Sequence, residues 1–293
     1  MFFQRLFASR KKPYLPGDKH WEEHQFDLAG NMLSFKLPPC TDLGLTGEDI
    51  DRKVDFYRRD LYSEDQQLES PSKQNSYLKV LSGVFNLKGK PWEKDHLGSI
   101  YLTINICRVN SLSSTMSCWN QKHLNIILKH HRYYAYGPGS GLNTPTYKSP
   151  LDLQINQDSR DVDWWSFESR QNVSETKGSK VESGNYEYEI FTPLDDQYFL
   201  TLHFSIHGYT PAHYSNRSTH HFLEEFSKHL KLDLREASKN KTLRMTAEEL
   251  LSTTSSIQPD SWIYHKWQFI LDKNGDPHET LTQAGTPPPA LTD

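Results

Sequence analysis

Histidines and carboxylates are the side chains of this sequence whose spacing could do chemistry. His220 and His221 stand just ahead of Glu224 and Glu225, and His221 and Glu225, four apart, would share one face of a helix able to seat a metal. His203 and His207 sit at even spacing, so on a strand they project to one face, against which that helix could pack. Together such groups would suit acid–base or metal-assisted hydrolysis, and a hydrolase with a histidine-centred site is one reading of the chain. Against it, the sequence has no HExxH run, no second ligand pair at metal spacing and no paired cysteines. The expectation is therefore no catalytic residue, no metal and no cofactor, with the imidazoles hydrogen-bonded or solvated.

Other motif look-alikes fail on geometry. DKNGD, residues 272 to 276, opens like a calcium loop, but Pro277 stands where that loop needs Gly and Gln283 where it needs Glu. A hairpin turn or strand exit is expected there. GPGSG at 137–141 follows a helical pattern and leads to no helix start that could receive a phosphate, so it reads as a helix stop. Ser174 and Lys177 match a serine–lysine spacing without its companion motifs.

A different signal lies in QDSRDVDWWSFESRQ, residues 157–171, where Trp164 and Trp165 stand among Asp158, Asp161, Asp163 and Glu168. Adjacent strand residues point opposite ways, so the two indoles cannot enter the same core. Either the rings are core and the carboxylates face water, or one ring stands exposed beside Asp163 and Glu168. An exposed tryptophan ringed by acids has the makings of a hot spot for a basic protein partner. Asp161, Asp163, Trp164, Trp165 and Glu168 are the candidate partner-binding residues.

Composition narrows the partner class. A net charge of −4 with scattered Lys and Arg gives no general attraction to nucleic acid or anionic membranes. Hydrophobic residues make up only 35% of the chain but aromatics 12%, so the core must lean on Phe, Tyr and Trp. Cys40, Cys107 and Cys118, an odd number without CxxC spacing, read as reduced thiols in a cytoplasmic protein. No run approaches the ~20 apolar residues that span a bilayer. The start, MFFQRLFASRKKP, puts its apolar residues before its basic ones, the reverse of a secretory signal. Phe2, Phe3, Leu6 and Phe7 would share a face beside Arg10, Lys11 and Lys12. That segment either docks on its own domain or forms a weak membrane foot. Docking is expected, since one short helix anchors poorly without a second signal, and a peripheral membrane protein held by residues 2–12 is the remaining alternative.

The elements that must position these residues follow from periodicity. HQFDLAGNMLSFKLPP reads as a strand pair turning at Gly30 and Asn31, and GEDIDRKVDFYRRDLY as a helix through Ile50, Val54, Tyr57 and Leu61. SYLKVLSGVFNL and GSIYLTINICRVN read as strands, the second with Ile100, Leu102, Ile104 and Ile106 buried. STMSCWNQKHLNIILKHHRYY reads as a helix, and YEYEIFTPLDDQYFLTLHFSIHGY as a hairpin turning at 193–196. A helix capped by Ser218 follows, burying Phe222, Leu223, Phe226 and Leu230, then a Thr246–Glu249 capping box and a last strand SWIYHKWQFILD. The organisation expected is a leader (1–16), one α+β domain (17–274) with a largely antiparallel sheet and helices packed on it, and a mobile tail (275–293).

The strand running into FKLPP, the late hairpin and the following helix HHFLEEFSKHLKL are similar in order to the Mog1/PsbP-like domains, including DcrB-type bacterial proteins. The likeness covers residues 26 to 234, with the helix at 115–134 and the strand at 261–271 as additions. Proteins resembling this pattern include immunity proteins that neutralise toxins delivered by type VI secretion. What the resemblance implies is a non-enzymatic cytoplasmic protein that binds a cognate toxin domain directly. It assigns no functional residue, because such proteins bind through variable surfaces.

Overall fold

Alternating apolar residues make strands the main element among the described residues. The computed structural model describes residues 2–16, 20–39, 52–62, 75–140, 151–157, 162–170, 185–208, 212–246, 248–249, 263–264, 266–271, 273, 277–288 and 290–291. In chain order these form a short helix α1 (Phe2–Arg5), strands β1 (Glu22–Leu28), β2 (Asn31–Leu37), β3 (Lys53–Val54), β4 (Asn75–Lys88) and β5 (His96–Val109), and helix α2 (Gln121–Tyr136). Strands β6 (Leu151–Gln157), β7 (Asp163–Arg170), β8 (Tyr186–Asp195) and β9 (Tyr198–Gly208) come next, then helix α3 (Ala212–His229), β10 (Lys231–Asp233), β11 (Lys266–Leu271) and β12 (Pro277–Gln283).

The fold is α+β. Six strands in the order β4-β5-β9-β8-β7-β6 make the main sheet, every neighbouring pair antiparallel. A smaller sheet, β10-β2-β1-β3, is antiparallel except where β3 runs alongside β1. The β1–β2 turn passes through Ala29 and Gly30, both at positive φ, and the Asp27 carboxylate accepts from the Gly30 N–H to hold it. Among the described residues no helix is long and apolar enough to cross a membrane.

Period two on the central strands gives the main sheet two buried faces. On the first, Ile100, Leu102 and Ile104 of β5, Leu200, Leu202 and Phe204 of β9 and Ile190 of β8 pack with Phe26, Leu33 and Phe35 of the small sheet and Phe222 and Phe226 of α3. Phe204 stands edge-on to both α3 phenylalanines. On the second, Trp165 and Phe167 of β7, Phe191 of β8 and Phe199 of β9 meet Leu124, Ile127 and Leu128 of α2. Each such ring or aliphatic group, fully buried, contributes about 1.5–3 kcal/mol.

Several expectations are corrected. Residues 52–62 are a short strand and a 3-10 turn rather than a helix, because Val54 continues β1's sheet and Phe56 turns wholly inward, its carbonyl accepting from the Tyr62 hydroxyl. The helix expected from residue 114 starts at Gln121, where the Asn120 side chain caps the N–H groups of Lys122 and His123. Ser218 is no cap: α3 begins six residues earlier, and the Ser218 hydroxyl donates to the Pro13 carbonyl. The 193–196 turn falls at 196–197, with Pro193 inside β8 beside a bulge. The tail expected to be mobile carries β12, paired along β11, and Leu291 is buried beneath α2. The Thr246–Glu249 capping box is present; the GEDI part of the expected helix and most of DKNGD lie outside the described residues.

Candidate functional site

The acid-flanked tryptophans sit on β7, one strand in from the β6 edge. Their side chains do point to opposite faces, but both faces are covered, so neither indole stands out from the surface: Trp164 joins the first core and Trp165 the second, at 6% and 0% exposure. Of the two alternatives, the one with an exposed ring is corrected for that reason, and both rings are core. Asp163 is also turned inward. Its Oδ2 accepts from Gln121 Nε2 at 2.9 Å and from Arg244 Nε at 3.3 Å, while Gln121 Oε1 accepts from the Met245 N–H, so the carboxylate pins the start of α2 to the 243–245 segment. Glu168 is half-exposed, directly across from Tyr188. Asp161 lies outside the described residues.

Trp164 nevertheless borders an opening. A pocket of about 110 Å³ lies between β6, β7, β8 and the end of α3, lined by Asn156, Trp164, Ser166, Tyr188, Ile190, Ser227 and Leu230. The register explains it: Asn156 pairs with Trp164, Ser166 with Ile190 and Glu168 with Tyr188, all facing α3 where that helix ends at His229. Burial, first, then the Glu168 charge push the Tyr188 phenol up, so it stays a neutral donor. Small-molecule sites usually enclose about 300–1,000 Å³. This one admits a single side chain.

The second face holds a polar cluster between α2 and the sheet. Glu187 Oε2 faces His203 Nε2 at 2.8 Å, and Glu187 Oε1 accepts from the Ser205 hydroxyl at 3.0 Å. Ser205 Oγ also lies 3.1 Å from His207 Nε2, and the Tyr136 hydroxyl 3.4 Å from His203 Nε2. Deeper in, His131 Nδ1 meets the Tyr77 hydroxyl at 3.0 Å, and its Nε2 faces Glu189 Oε1 at 3.6 Å. Burial alone would raise the Glu189 carboxyl, but His131, His203 and Tyr136 bring it below its ordinary range. Burial would likewise lower His203; its bond to Glu187 and the charges of Glu189 and Glu187 overcome that and raise it. His130 goes the other way, pushed down to about 4 by burial and by neighbouring His131.

The predicted histidine groups do not converge. His203 and His207 project toward α2, whereas α3, which carries His220 and His221, covers the opposite face. His220 and His221 are exposed, and Glu225 pairs with Lys228. Among the described residues no three His, Cys, Asp or Glu side chains are grouped to hold a metal. Cys107 and Cys118 are buried and unpaired, with burial first among the causes that push both thiols up, which makes them poor nucleophiles. Sequence reasoning missed Glu187, Glu189, His131 and Tyr136. The signal for the two glutamates was their alternation with Tyr186, Tyr188 and Ile190, which places them on the face opposite those residues; their partners come from another element. No family model, no curated protein and no solved structure matches this chain.

Proposed function

We propose that this protein is a non-enzymatic binding protein whose partner is a basic protein domain, gripped at the Trp164 pocket. The observation that supports it most is the pocket itself: two aromatic walls, Trp164 and Tyr188, with Glu168 beside Tyr188, in a volume that suits one inserted side chain. A lysine or arginine fits that chemistry, its stem against the rings and its charge toward the carboxylate. Following the resemblance to PsbP-like domains and to type VI immunity proteins, the partner is a toxin domain and the site of action the cytoplasm. The second face supports a binding rather than a catalytic reading. Both Glu187 oxygens are engaged, by His203 and Ser205, and Tyr77 and Tyr136 tie α2 into the same network, so these polar groups hold a helix to a sheet.

Coexpression with the product of the neighbouring reading frame tests this. Wild-type protein should restore growth and co-purify with that product. Trp164→Ala should weaken the complex by about 2 kcal/mol or more while the fold survives. A Trp164→Ala protein that is folded and binds as wild type does would refute the pocket. A hydrolase is the second reading: Ser205 Oγ lies 3.1 Å from His207 Nε2, which takes its proton only when the hydroxyl turns away from Glu187. A fluorophosphonate that labels the wild type and not Ser205→Ala would favour it.

A further inference from the structure

The N-terminal segment docks on its own domain, yet it leaves Phe3 and Phe7 in water. The Arg5 guanidinium donates to the backbone carbonyls of Gly89 at 3.0 Å, Lys90 at 2.7 Å and Glu93 at 3.1 Å, which fixes α1 against the β4–β5 turn. Ala8 and Leu15 are buried, and Ser9 and Lys12 exchange backbone hydrogen bonds that close a tight turn. The foot is thus a built element. Nevertheless Phe3 is 79% and Phe7 84% exposed, and Trp92, at the tip of the turn that Arg5 grips, is 65% exposed. An interior that leans on aromatic rings elsewhere leaves these three outside.

The charge around them is mainly basic, with the exposed Asp95 as the exception. Arg10, Lys11 and Lys12 are exposed beside Phe7, and Lys90 and Lys94 flank Trp92, the Lys90 ammonium lying 5.2 Å from its ring. The nearby acid Glu93 is turned to the backbone, accepting from the Lys90 N–H. On a chain of net charge −4 this is a local reversal of sign. Protruding aromatic tips set among cations fit the headgroup region of an anionic bilayer, where Trp and Phe sit at the polar boundary and Lys and Arg meet lipid charge. The net negative charge of the whole chain gives no general pull to such a surface, so attraction has to come from a local basic cluster.

We propose that this end of the molecule, Phe3, Phe7 and Trp92 with Arg10, Lys11, Lys12, Lys90 and Lys94, is a docking face for an anionic phospholipid membrane. Two signals act together, the aromatic tips and the basic cluster, and a short apolar foot alone would hold only weakly. The face shares no residue with the Trp164 pocket.

Vesicle flotation of the full chain, with any purification tag at the C-terminus, tests the proposal. Binding is expected to vesicles containing phosphatidylglycerol, little to pure phosphatidylcholine, and less as salt rises. Phe7→Ala with Trp92→Ala should lower partitioning by roughly tenfold or more, and Arg10→Glu with Lys12→Glu similarly. These side chains are exposed, so far-ultraviolet circular dichroism and the Tm should be unchanged. Wild-type protein that stays with the soluble fraction at low salt, or a double aromatic variant that floats as wild type does, overturns the proposal. So does a concentration-dependent dimer in light scattering that Phe7→Ala abolishes, since the face would then bind a second copy of the chain.

Discussion

The two faces of the six-stranded sheet are buried by different means. The first is mostly apolar: Leu102, Leu202, Ile190 and Phe204 meet the small sheet and α3 by shape, with one buried hydrogen bond, from the Tyr186 hydroxyl to Thr219 Oγ1 at 2.9 Å, joining β8 to α3. The second is mixed. One end packs Trp165, Phe167 and Phe199 against α2, and the other sets Glu187, Glu189 and His203 under the same helix. An apolar face tolerates exchange of one side chain for another of like volume. A face held by named donors and acceptors tolerates little, because removing one partner leaves the other buried and unpaired. The position of α2 therefore rests mainly on polar pairs, that of α3 mainly on volume with the Tyr186–Thr219 bond beside it.

The largest effects should come from the rings. Trp165→Ala removes a wholly buried indole from between β7 and α2 and should cost about 3–5 kcal/mol in urea unfolding. Trp164→Ala should cost less, since that ring already borders a pocket, and should instead show in partner binding. Equal losses in the two variants would break the distinction between them. Glu189→Gln comes next, with about 1–3 kcal/mol expected, because His131 and His203 lose the charge they face while shape is kept. On the mostly apolar face Leu202→Met should cost less than about 1.5 kcal/mol. If Glu189→Gln were the milder of these two, the second face would not be held by its polar groups.

These differences explain what was legible in the sequence. The strands β4, β5, β8 and β9 and the cores of α2 and α3 were readable because period two or 3.6 is written into consecutive residues. The opposite orientations of Trp164 and Trp165 were readable for the same reason, but coverage of both faces was not, since α2 lies more than twenty residues upstream of them and α3 more than forty downstream. Residues 52–62 misled because Val54 and Tyr57 fit a helical stripe, while the decisive interaction, β3 beside β1, is non-local. β12 went unread for compositional reasons: its segment is Pro-rich and polar, and its partner is found only through the pairing along β11. Polar clusters assembled from several elements leave no local pattern, and Glu187 with His203 is such a case.

Acidity probes the second face more gently. His203, raised in the folded state, adds stability that is whole below its unfolded value of 6.5 and is lost as pH rises through its folded value. Glu189, lowered, adds stability present above 4.5 and lost as pH falls. His130, held down to about 4, acts in the same direction as Glu189: between 6.5 and that value the unfolded chain takes up the proton and the folded one does not. Urea midpoints measured from pH 4 to 9 should therefore fall off on both sides of a maximum near or slightly below neutrality. His203→Gln should flatten the alkaline limb and His130→Phe the acid limb. An alkaline limb unchanged in His203→Gln would remove that residue from the account.

Glu168 carries the smallest expected effect on stability and the sharpest one on function. It is half-exposed on β7, facing Tyr188 across the strand pair at the rim of the pocket. Removing its charge as Glu168→Gln keeps size and hydrogen-bonding capacity, so unfolding should shift by no more than about 0.5 kcal/mol. Association with a basic partner should slow at low salt, because a rim carboxylate steers encounter more than it holds the bound state. That loss should shrink as ionic strength passes about 0.15 M, where the screening length falls to roughly 8 Å. Asp163→Asn supplies the control: its carboxylate faces Gln121 and Arg244 rather than the pocket, so it should lower stability and leave the association rate alone. Stopped-flow binding across a salt series separates the two. If Asp163→Asn slowed association and Glu168→Gln did not, the partner would approach from the α2 side, and the pocket at Trp164 would not be its landing place.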